Sequence, residues 1–133
     1  MKKLIIIILL SIVVFSCKKD TSPLLPNISL HYSGQNDSFL YEFRISNDSP
    51  IAVSYMGYSE GEPIYIVSVL ADTGWVHIGG WCGTGLHEVK FYPGDSFLIT
   101  VNKPQDFNTW RVGIHVYYDF DKVGETIWSQ VLK

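Results

Sequence analysis

A chain of 133 residues with 47% hydrophobic and 17% charged residues can fill one core but not two. Its 10 Lys and Arg are dispersed and outnumbered by 13 Asp and Glu, for a formal net charge of −3, which excludes the clustered basic surface that nucleic acid rewards. No nucleic-acid partner and no cofactor are expected.

The first element is a leader. Met1-Lys2-Lys3 precedes an apolar run from Leu4 to Phe15, about 12 residues against the roughly 20 that a membrane-crossing helix needs, and then Ser16-Cys17. Charge, short apolar stretch and small residue are the parts of a secretory signal that is removed. Val14-Phe15-Ser16-Cys17 resembles the bacterial lipobox, with Phe15 where a small residue is usual. The resemblance implies cleavage before Cys17, diacylglycerol on its sulfur and an acylated amine. Lys18, in the place where Asp favours inner-membrane retention, implies delivery to the outer membrane. The expected organisation is therefore a signal over 1–16, a lipidated Cys and polar tether over 17–26, and a domain over 27–133. Without the two leader lysines, eight basic residues face thirteen acidic ones, a net charge of −5.

From Asn27 onward the apolar residues recur with period two and turn residues are frequent, with no clean helical stripe. Strands are expected at Ile28 to Tyr32, Phe39 to Ser46, Ile51 to Tyr55, Ile64 to Leu70, Trp75 to Ile78, Leu86 to Phe91, Ser96 to Val101, Trp110 to Tyr118 and Thr126 to Leu132. In the second, Phe39, Tyr41, Phe43 and Ile45 form the core side. Trp110, Val112, Ile114, Val116 and Tyr118 do the same later, with Arg111, Gly113, His115 and Tyr117 facing away. Ile64 to Leu70 is apolar on both parities, as in a central strand covered on both faces or one whose second face feeds an aromatic patch. Between strands, Asn47-Asp48-Ser49-Pro50 is an Asx-type turn, Gly74 closes a hairpin at positive φ, and Tyr92-Pro93-Gly94-Asp95 fits a type II turn.

This spacing in about 100 residues predicts an all-β fold, a single antiparallel immunoglobulin-like β-sandwich of about seven to nine strands. The segment Tyr41 to Asn47 resembles the early strand, ending in Asn, of immunoglobulin-like or fibronectin-like bacterial domains. That resemblance implies architecture only.

Residues for chemistry are few. His77 and His87 lie five residues either side of Cys82 in a glycine-rich loop, a combination of imidazole and thiol that suits zinc or copper. The spacing matches no ligand signature, and a buried thiol is the more economical reading. Gly80-Trp81-Cys82-Gly83-Thr84 misses the nucleophile-elbow pattern at its last position. Asp119, Asp121 and Glu125 approach a calcium loop but fail its spacing, with Lys122 where a ligand would stand. The better lead is aromatic. Tyr65, His115 and Tyr117 are expected on the parity opposite the core, with Trp75 and Trp81 near loops, as a candidate surface for a glycan or protein partner. The function expected is a lipid-anchored envelope module that binds an envelope protein or glycan without catalysis. A small metal or cysteine enzyme using His77, Cys82 and His87, and an envelope inhibitor or structural component, are the alternatives.

Overall fold

The computed structural model describes residues 26–79, 83–118 and 123–133. In them the chain forms nine strands and no helix: β1 Ile28–Gln35, β2 Tyr41–Asn47, β3 Val53–Gly57, β4 Ile66–Ala71, β5 Gly74–Ile78, β6 His87–Phe91, β7 Ser96–Val101, β8 Trp110–Tyr117 and β9 Gly124–Trp128. All pairings between strands are antiparallel. They build two sheets, one of three strands in the order β1-β2-β7 and one of six. The sandwich expected from the turn spacing is thus the observed fold.

The six-strand sheet is four columns wide. β9 pairs with β8 over Gly113 to Tyr117, β4 with its residues Trp110 to Gly113, and β3 with Val116 and Tyr117. A strand has two edges, and β9 occupies one of them alongside both other contacts, so β3 and β4 share the second. Tyr55 opposes Val116 and Ile66 opposes Gly113, so eleven residue steps on one side match three on the other. β3 and β4 are therefore one column interrupted by an excursion. β6 and β5 form the next column in the same way, pairing with β3 and β4 respectively. The first excursion curls back on its strand: the Tyr58 N–H donates to the Glu62 carbonyl at 3.0 Å and the Ile64 N–H to the Met56 carbonyl at 2.9 Å. Gly57 permits this, because a Cβ there would sit 2.6 Å from the Glu62 carbonyl oxygen.

The core lies between the sheets. Phe43 and Ile45 of β2, Ile99 and Val101 of β7, Tyr55 of β3, Val69 of β4 and Trp110, Val112, Ile114 and Val116 of β8 are buried. Burial of one such side chain contributes about 1.5–3 kcal/mol. Trp110 packs edge-on against Tyr41 and Phe43, with ring centroids 5.1 and 5.9 Å away. At one end the fully buried Asn47 donates from its side chain to the carbonyls of Ile51 and Phe91, and its side-chain oxygen accepts from the Ser49 N–H. This is the expected Asx turn, and it also fastens the two sheets together. The turn glycines behave as read, with Gly74 at φ 114° and Gly94 at φ 85°.

Two strand expectations need correction. Phe39 is 81% exposed at φ 61°, in a turn closed by the Asn36 side chain, so the alternating face begins at Tyr41. The last strand ends at Trp128, and Leu132 returns only to bridge Trp110. The four strands expected between Ile51 and Phe91 form as β3, β4, β5 and β6, and they line up as two interrupted columns.

Candidate outer-face site of the large sheet

With the odd-numbered side of β8 turned away from the core, the register fixes which side chains meet on the outer face. Ser68 stands opposite both His77 and Arg111, Gly113 opposite Trp128, and His115 opposite Thr126. Gly113 is required there: a Cβ would lie 2.7 Å from atoms of the Trp128 ring and 2.8 Å from the Thr126 methyl. The missing side chain lets the indole lean over β8. Trp128 then reaches Arg111, whose guanidinium carbon is 4.1 Å from its ring centre, and Trp75 meets the same guanidinium at 4.2 Å. The guanidinium is thus in contact with two indole rings at once. His77 stacks on Trp128 at 5.7 Å with planes 20° apart. Each cation–π contact contributes about 0.5–2 kcal/mol.

A second aromatic pair lies further along β8 on the same face. His115 meets Tyr117 edge-on at 4.8 Å, and its Nδ1 lies 3.1 Å from the Thr126 hydroxyl. Beyond them the Ser54 hydroxyl donates to Glu88, which pairs with Lys90 at 3.5 Å. The opposite end of the face is apolar, with Trp75 37% and Leu70 46% exposed.

His115, Tyr117 and Trp75 therefore share the outer face, as expected, but Tyr65 does not. Tyr65 has the parity of Val67 and the fully buried Val69, packs against the core, and lines a cleft of about 330 Å³ with Val67, Ile78, Val101 and Pro104. Burial pushes its phenol above the ordinary 10.0. The expectation misassigned its parity because both faces of that segment are apolar. Trp81 and Cys82 lie outside the described residues, as do Cys17, Asp119 and Asp121. His77 and His87 have different neighbours: His77 stacks on Trp128, while His87 Nδ1 lies 3.1 Å from the Gly85 carbonyl. Among the described residues no three His, Cys, Asp or Glu gather as a metal site. Glu125 takes the Tyr118 hydroxyl as donor.

The chain matches no family model and no curated protein.

Arg111 and Trp128 were missed in the sequence. The signal was there in part: a glycine inside a confident strand marks a close approach, and Gly113 sits two residues from Arg111 on the same outward parity. Which ring approaches cannot be read without the register of β9. Chemically, the face can stack against rings or sugar faces, offer a cation held against indoles, and exchange hydrogen bonds through imidazole, phenol and hydroxyl groups.

Proposed function

We propose that this protein is a lipid-anchored, non-catalytic binding module of the cell envelope, held at the outer membrane through Cys17, which takes a protein or glycan partner on the outer face of its large sheet. The observation that carries this reading is the run of Trp75, Arg111, Trp128 and His77 toward His115 and Tyr117 on the side of the sheet that the core does not use. Folding alone is served by the opposite side of β8, which is fully buried. Rings with polar edges, placed together at a solvent-facing surface, are the residue types that anchor partners.

The test is capture of envelope protein or glycan by the mature lipoprotein in detergent. Trp75→Ala and Tyr117→Ala should weaken capture, while Leu98→Ala, an exposed position on the small sheet, should leave it intact. Capture unaffected by the first two substitutions would contradict the proposal.

A further inference from the structure

The outer face contains a cation that the described residues leave unmatched. The Arg111 guanidinium lies over both the Trp75 and the Trp128 rings. Among the described residues its side chain makes no ion pair or hydrogen bond, and its Nε is buried without an acceptor. Directly across the β4–β8 pairing, Ser68 is fully buried and its hydroxyl is likewise without a partner. Buried polar atoms are almost always matched, so two orphans at paired positions mark a polar arrangement that the described residues leave incomplete. We propose that Arg111 is the anion-binding residue of a carbohydrate site, taking the carboxylate of an acidic sugar, a uronic acid unit of a glycan. This rests on the outer face being the partner surface.

Three features select that chemistry. A guanidinium packed on indole rings can still be approached in its own plane, the direction in which its N–H groups form paired hydrogen bonds with a carboxylate. The flanking indoles lower the local dielectric, which strengthens a charge pair formed there. The strand edges of β8 are taken by β9 on one side and β3 with β4 on the other, so no peptide adds beside it as a strand and the ligand lies on the face, where aromatic rings suit a sugar. A glycan needs only what the face offers: the partly exposed Trp75 for the C–H side of a pyranose, and His77, Thr126 and His115 for its hydroxyls.

Titration of the mature lipoprotein in detergent, followed by tryptophan fluorescence and calorimetry, tests this with oligomers of galacturonate and of glucuronate, their methyl esters, and triglutamate. At least one acidic oligomer should bind, and its ester should bind at least about tenfold more weakly. Arg111→Lys keeps a cation against the indoles but loses the planar fork, and should weaken the acidic oligomer by a similar factor with the thermal midpoint retained. The ester comparison uses the parent protein and so stands even where the variant folds poorly. Binding of neither oligomer, equal affinity for the ester, full affinity in a folded Arg111→Lys protein, or equally tight triglutamate would overturn the proposal. If envelope capture still depended on Trp75 in those cases, the partner surface would survive and only the acidic sugar would fall.

Discussion

Gly113 shapes the outer face by what it lacks. Gly113→Ala would place a methyl group 2.7 Å from the Trp128 ring, so either the indole or the strand must move. A loss of about 1–3 kcal/mol is expected, with a changed near-ultraviolet dichroism as the indole leaves Arg111. Asn47 matters at the other end of the sandwich: Asn47→Ala removes the partner of two carbonyls and one N–H at a buried site and should cost about 2–3 kcal/mol in denaturant unfolding. The two tyrosines of the expected surface should separate cleanly. Tyr65→Ala removes a ring packed on the core and lowers the midpoint, whereas Tyr117→Ala, on the outer face, changes it little. Tyr55 supplies a pH dependence. Burial raises its phenol above 10.0, the Gly61 N–H donating to it at 2.9 Å works the other way, and Glu60, Asp95 and Glu62 raise it further. A raised folded value means stability is intact below pH 10 and falls as pH climbs through the folded value. Tyr55→Phe should flatten that alkaline loss, as unfolding curves across the range would record.

At the scale of elements, the period-two pattern and the turn residues carried most of the fold. β7 runs from Ser96 to Val101 as expected, and the Asn47 and Pro93-Gly94 turns form as read. What could not be read was that β3 and β4 continue one another past an excursion, since nothing local distinguishes a connection between neighbouring strands from a loop that leaves a column and rejoins it. The Tyr65 error has the same root: an apolar run on both parities gives no inward direction until a partner strand supplies one. The stack at Arg111 depends on four strands and their registers, so only its glycine was visible. The layout also ranks the strands in rigidity. β8 is paired along both edges and buried on its core side, while β5 pairs only with β4. Amides of Val112 to Val116 should therefore exchange with deuterium most slowly, and those of Trp75 to Ile78 among the fastest of the strands.

At the scale of the whole molecule, the proposed function combines a lipid tether with a surface on one sheet of the sandwich. The proposed lipid anchor at Cys17 lies outside the sandwich in sequence, so on that proposal Cys17→Ala should release the protein from membranes after carbonate washing while its unfolding midpoint stays that of the parent. The central claim is that the outer face of the large sheet is where the partner sits. Photocrosslinking in cells tests it most directly, with a crosslinking amino acid placed in turn at Leu70, Thr126 and Tyr117 on that face and at Arg44 and Leu98 on the small sheet. The account predicts adducts from the first three positions and none from the other two; adducts confined to Arg44 and Leu98 would contradict it.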